Sequence, residues 1–150
     1  MSGPGPGENF RRIRESLPPE VRLVVAAKGR GGRELAEAVE AGARIVGENY
    51  VQEAERHLME LGPLAEQPEW HMIGHLQRNK INRALPLFGL IQSLDSLRLA
   101  RAIDKRAERP VRVLVEINIA GEQSKFGIPP DRAVTTVQQM AELPGLHIEG

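Results

Sequence analysis

The chain has 150 residues, 41% of them hydrophobic and 27% charged, which suits one soluble domain with its own core. Twenty basic residues balance twenty acidic ones, so the composition argues against a nonspecific nucleic-acid binder. With no cysteine there is no disulfide framework, no thiolate zinc site and no cysteine nucleophile. Residues 1–8 are rich in Gly and Pro, lack the apolar stretch of a signal peptide, and read as a disordered tail ahead of an α/β domain over 9–150. No apolar run approaches the ~20 residues a bilayer requires, so no membrane association is expected and the expected location is cytoplasmic.

After the tail, Asn9 to Ser16 predicts a short helix stopped by Pro18 and Pro19. The apolar run Arg22 to Ala27 predicts strand one. Leu35, Ala36 and Val39 then recur at helical spacing within Arg33 to Ala41, and Gly42 ends that helix. Arg44 to Gly47 is strand two, followed by a helix over Tyr50 to Leu61. Trp70 to Gly74 is strand three, with a helix near Gln77 to Leu85 that Pro86 stops. Gly89 to Leu94 is strand four, and Asp95 is expected to cap a helix from Ser96 to Arg106. Val111 to Ile119 is strand five, Pro129 and Pro130 open a helix through Ala141, and Leu146 to Glu149 is strand six.

Strand starts at intervals of roughly 20 to 35 residues are the mark of βα units and a parallel sheet. Two closed solutions exist, a doubly wound open sheet and a (β/α)8 barrel of the TIM type. The turn after strand one lacks the Gly-x-Gly-x-x-Gly fingerprint, which weakens the dinucleotide reading. A barrel takes about 250 residues and eight strands. The chain reaches Gly150 as strand six ends, so the barrel reading is of one truncated after about six βα units.

In a parallel barrel all strand ends meet at one mouth, where such folds keep their chemistry. Strand one ends in Lys28, followed at once by Gly29, Arg30, Gly31 and Gly32. A lysine pressed against apolar neighbours has its charged form disfavoured, and the free amine is a nucleophile toward aldehydes. That is Schiff-base chemistry. Only Lys28, Lys80, Lys105 and Lys125 stand among the twenty basic residues, the others being arginine, so lysine is not this chain's default cation. The competing reading is that Lys28 is a solvated cap of the strand. Lys125, on a Gly-bounded loop after strand five, is the rival amine and suits a phosphate or a second amine. Glu48 and Asn49 could cap the helix that follows strand two, and Tyr50 is expected to be packing. His71 and His75 have a metal-ligand spacing only on a helix, and here they fall on a strand and its exit, so no metal is expected.

Several blocks occur in order. They are Ala26-Ala27-Lys28; Gly47-Glu48-Asn49-Tyr50-Val51-Gln52-Glu53; Trp70 through Lys80; Ser93-Leu94-Asp95-Ser96; and Val115 to Ala120 with Ser124-Lys125-Phe126-Gly127. Together they closely resemble the pyridoxal phosphate homeostasis protein family (YggS/PROSC type). The resemblance implies the barrel fold of the alanine racemase N-terminal domain, with pyridoxal 5'-phosphate (PLP) bound at its mouth. It implies that Lys28 forms the Schiff base with PLP, that Asn49 contacts the cofactor ring, and that His71, His75 and Asn118 line the mouth. It implies a carrier and buffer of PLP that supplies PLP-requiring apoenzymes, with no catalytic residue and no robust turnover; a monomer is expected. Racemisation needs acid/base groups on both faces of the substrate's α-carbon, and the sequence identifies no such pair. The alternatives are a PLP enzyme of the racemase type and a non-catalytic α/β interaction module. Two departures from the family pattern stand out. Ala27 and Gly29 flank the lysine where the family more often has Ser and Thr, and the phosphate-cradling segments after strands seven and eight lie beyond Gly150.

Overall fold

The computed structural model describes residues 3–150. The chain divides into two compact units, one running to Trp70 and one from His71 onward.

The first unit opens with α1 (Pro6–Ser16), three residues before the expected start at Asn9. Proline suits a first helical turn, where its missing N–H would have had no partner. Residues 6–8 of the segment read as tail are therefore helical, whereas Met1 and Ser2 lie outside the described residues. Gly7 is buried, and a Cβ there would stand 2.8 Å from the Glu37 carbonyl oxygen on α2 (Gly32–Glu40). Its missing side chain lets the two helices approach. Phe10, Ala38 and Ala43 form a buried cluster, against which Leu23, Val25 and Ala41 pack.

Strand one is shorter than the apolar run. Only Val25 and Ala26 form β1 (Val25–Ala26), paired in parallel with Val46 and Gly47 of β2 (Ile45–Glu48). Leu23 is spent on packing, without a ladder partner. Helix α3 (Val51–Leu61) follows and closes at Gly62, whose φ of +56° suits glycine. A 3-10 segment, Gly62–Glu66, then leads to Trp70, the sole tryptophan, which is buried and donates its indole N–H to the Ala65 carbonyl at 2.9 Å. Strand β3 (Glu69–Met72) belongs to both units. Its Glu69 N–H bonds the Arg44 carbonyl at 2.8 Å, and His71 and Met72 pair with Leu90 and Ile91.

In the second unit the helix expected over 77–85 is a 3-10 turn, Arg78–Lys80, and a single α turn, α4 (Ile81–Ala84). The amides of Leu85, Leu87 and Phe88 fold back onto the carbonyls of Ile81 and Ala84 as the chain meets Pro86. Next come β4 (Leu90–Leu94) and α5 (Leu97–Asp104). Ser96, not Asp95, caps α5, its Oγ accepting from the Leu99 N–H at 3.2 Å. β5 (Val111–Val115) stops four residues before the expected Ile119. Beyond it Glu116 N–H still bonds the Leu94 carbonyl and Ile117 makes a single parallel bridge to Ile128. α6 (Pro130–Ala141) and β6 (Leu146–Ile148) complete the unit.

The pairings of β1 with β2, and of β3, β4, β5 and β6 in chain order, are all parallel. Ile91, Leu94, Ile103, Val113 and Met140 are wholly removed from solvent in the second unit, each worth about 1.5–3 kcal/mol of transfer free energy. Among the described residues no helix is long and apolar enough to cross a membrane.

Candidate functional site

Lys28 stands on a tight turn at the end of β1. Ala27 N–H donates to the Gly47 carbonyl at 2.9 Å, and Arg30 N–H returns to the Ala27 carbonyl at 2.9 Å. Lys28 is thus the second of four turn residues and Gly29 the third. Gly29 has φ +72°, the sign that the third position of a type II turn demands and that a side chain resists. Extending the β1–β2 register by two residues sets Lys28 level with Asn49. By strand alternation Lys28, Ala26 and Gly47 share a face, while Val25 on the other face packs against the Phe10 cluster. On that face Ala26 is exposed and Gly47 is buried.

One expectation is corrected here. Lys28 is exposed, not pressed among apolar side chains. The ladder has ended, and Ala26, Gly29 and Arg30 around it are exposed as well.

The glycine-rich segment after Lys28 is pinned to three side chains. Glu34 Oε2 accepts the Gly31 N–H at 3.1 Å at the start of α2, and that bond first, then Arg30, holds the Glu34 carboxyl below its ordinary range. Glu60 Oε2 accepts the Gly32 N–H at 2.9 Å. His57 Nε2 lies 3.0 Å from the Arg30 carbonyl oxygen, and its Nδ1 lies 2.6 Å from Glu48 Oε1. Both side chains of that pair are fully buried, and burial pushes the Glu48 carboxyl up against the opposing pull of His57. Glu48 therefore caps no helix. The cap position of α3 is taken by Tyr50, which makes no side-chain cap bond and is 52% exposed, contrary to its expected packing role. Sequence reasoning missed the pair because its members are nine residues apart. The available signal was that Glu48 lies one residue off the Lys28-bearing face and so points to the helix layer.

In the second unit His71 is buried and its Nδ1 lies 2.9 Å from Gln92 Nε2. His75 Nδ1 lies 2.7 Å from Asp95 Oδ2, and the His75 ring stacks on Phe126 with centroids 3.8 Å apart and planes 7° from parallel. Asn118 folds the loop that follows β5. Its Nδ2 donates to the Glu122 carbonyl at 2.9 Å and its Oδ1 accepts the Gly121 N–H at 3.1 Å. Lys125 is exposed on that loop. His75, Asn118 and Lys125 thus belong to one assembly, joined through Phe126. Burial first, then the charge of Asp95, raises the carboxyl of the neighbouring Glu116. Among the described residues no group of three or more His, Asp or Glu is placed to hold a metal ion.

Residues 7–150 match the family described as alanine racemase, N-terminal domain. The pyridoxal phosphate homeostasis protein of Escherichia coli K12 is 40% identical over 139 residues, covering 89% of this chain and 58% of that protein. The human protein of the same name is 35% identical over 150 residues, covering 93% and 54%. The solved structure of PipY from Synechococcus elongatus PCC7942 with PLP bound superimposes with a TM-score of 0.86 at 32% identity, covering 97% of this chain and 68% of that one. The chain belongs to the pyridoxal phosphate homeostasis protein family. Alanine racemase from Clostridium difficile 630, at 17% identity and a TM-score of 0.76, shares the fold of this family member. The parallel β/α succession, which the strand spacing implied, is that of the alanine racemase N-terminal barrel, as the family resemblance implied. The chain spans a little over half the length of the curated homeostasis proteins it matches.

Proposed function

We propose that this chain binds PLP through the Lys28 amine and serves as an intracellular carrier of the cofactor. The observation that carries the reading is the placing of Lys28: an accessible amine on a pinned strand-end turn, level with Asn49 and beside the exposed Ala26. These residues fit the group. A flat pyridine ring needs an open floor and a polar neighbour, and its aldehyde needs an amine free of competing partners. The relative PipY, solved with PLP bound, supports the reading. When bound, the cofactor supplies an aldehyde that condenses with an amine as a Schiff base, releasing water, and exchanges on meeting a second amine.

Lys28 supplies the first amine. Its exposure suits exchange with incoming amines more than permanent retention. Asn49 orients a polar ring substituent. The role proposed for this arrangement is holding and release of the cofactor. That accords with relatives named for homeostasis. On the second unit Lys125 is the residue suited to a phosphate or a second amine. His75 and Asn118 are further candidate contacts, while His71, buried and held by Gln92, is placed to shape the strand. PLP-requiring apoenzymes are the proposed recipients, and the protein acts as a monomer in this scheme.

Borohydride trapping of PLP followed by peptide mapping tests the assignment on wild type and Lys28→Ala. One label on the peptide carrying Lys28, lost in the variant, is expected. A label of unchanged yield and position in Lys28→Ala overturns it.

A further inference from the structure

The buried Glu48–His57 pair spans from the end of β2 through α3 to the turn that carries Lys28. His57 Nε2 faces the Arg30 carbonyl oxygen at 3.0 Å. A carbonyl only accepts, so Nε2 carries a hydrogen in this arrangement. On the other side of the ring, the 2.6 Å contact between Nδ1 and Glu48 Oε1 holds one further proton between two atoms that would otherwise repel. The pair is then neutral overall. Neutrality suits a site in which Glu48 Oε2 is buried with no hydrogen-bond partner, where a full negative charge would be costly. The other charged groups facing it are Arg56, whose Nη2 stands 3.2 Å from Nε2, and Glu53. Arg56 can only donate, so Nε2 serves either the Arg30 carbonyl at 3.0 Å or Arg56 at 3.2 Å, and the shorter contact is the one that Nε2 as a donor makes.

We propose that Glu48 and His57 are positioning residues for Lys28: His57 bonds the last carbonyl of the Lys28 turn, and Glu48 holds the imidazole in the form that can donate to it. Ala27, at the first position of that turn, is fixed to Gly47 across the ladder, and Arg30, at the last, is fixed by His57. Lys28 lies between two anchored ends, so the backbone from which its side chain springs is held in place at the end of β1. The functional meaning of this clamp rests on Lys28 as the cofactor-binding residue, whereas the clamp itself does not.

The test reads amide hydrogen exchange by NMR on the full chain without ligand, then the rate of PLP attachment at Lys28. Three variants are compared: His57→Phe, Glu48→Ala and Glu48→Gln. The ring of phenylalanine fills the space but donates to nothing, so exchange at the Arg30 amide is expected to accelerate about tenfold or more. The Ala41 amide, bonded to the Glu37 carbonyl at the end of α2, and the Ala54 amide, bonded to the Tyr50 carbonyl at the start of α3, are expected to stay protected. Glu48→Ala is expected to mimic His57→Phe. Glu48→Gln is expected to restore protection, because a side-chain amide can donate to Nδ1 and leave the hydrogen on Nε2. PLP attachment is expected to slow in the first two variants and recover in the third. Unchanged Arg30 exchange in His57→Phe overturns the proposal. So does acceleration that is equal at Ala41 and Ala54, or a Glu48→Gln variant as impaired as Glu48→Ala. If His57→Phe does not fold, the contrast between the two Glu48 variants decides the matter. Failure of wild type to take up PLP at Lys28 overturns the functional reading and leaves the exchange result to judge the clamp.

Discussion

The two lysine-bearing segments of the molecule, one after β1 and one after β5, solve the same problem differently. Lys28 lies on a four-residue turn closed by a backbone hydrogen bond, and the residues that follow it are tied to Glu34, Glu60 and His57. Lys125 lies on a loop running from Asn118 to Gly127 that is folded from within by Asn118 and held at its far end by Phe126 on His75. The backbone around the first lysine is held by side chains from other elements, that around the second mainly by its own loop. An amine meant to present one orientation to an aldehyde belongs on the first kind of support. One meant to reach for a phosphate tolerates the second.

The largest expected effect separates the two lysines outright. Lys28→Ala abolishes the borohydride-trapped PLP label, and Lys125→Ala retains it; equal losses would erase the distinction. Next come the glycines that let each segment turn. Gly127 has φ +114° and a Cβ there would stand 2.7 Å from the Asn118 nitrogen, whereas Gly29 has φ +72° with open space around it. Gly127→Ala is therefore expected to cost about 3 kcal/mol in urea unfolding, and Gly29→Ala about 1–2 kcal/mol, the strain of a left-handed backbone alone.

The third expectation concerns pH. Burial raises the Glu48 carboxyl above its ordinary value of 4.5, so the folded protein binds this proton more tightly than the unfolded chain does. The contribution is complete below 4.5 and is lost as pH rises through the folded value. Stability measured from pH 4 upward is expected to fall more steeply in wild type than in Glu48→Gln, the one extra proton adding a slope of at most about 1.4 kcal/mol per pH step. Parallel curves would remove Glu48 as the source. The smallest effect is Phe126→Ala, which loses the stack on His75 and about 0.5–1 kcal/mol, with faster amide exchange at Lys125 and none at Arg30. Exchange rising at both would mean that the two segments are not independently held.

The sequence announced the βα succession because strand-length apolar runs and helical periodicity alternate with glycine and proline between them. It announced Lys28 through the abrupt end of Leu23 to Ala27 at a charged residue and a run of glycines. Boundaries slipped where tertiary contacts outweighed local preference. Leu23 looks like strand but is used for packing on Phe10, and Ile119 extends a β-branched run yet is 84% exposed, lying beyond the last bridge at Ile117. Asp95 and Ser96 are both good caps, and only the geometry shows Ser96 taking the helix while Asp95 turns to His75. The Glu48–His57 pair needed β2 and α3 to be packed before either residue had a partner. Nor could the exposure of Lys28 be read from its apolar predecessors, since the turn that lifts it out depends on the Arg30 amide returning to Ala27.

Trp70 gives the chain a built-in optical reporter. It is the sole indole, it is enclosed, and its N–H is fixed to Ala65 in the 3-10 segment that precedes β3. Emission near the ultraviolet edge therefore comes from one known place, and a red shift on titration with denaturant or on a substitution at Glu48 or His57 would register loosening there without any added dye.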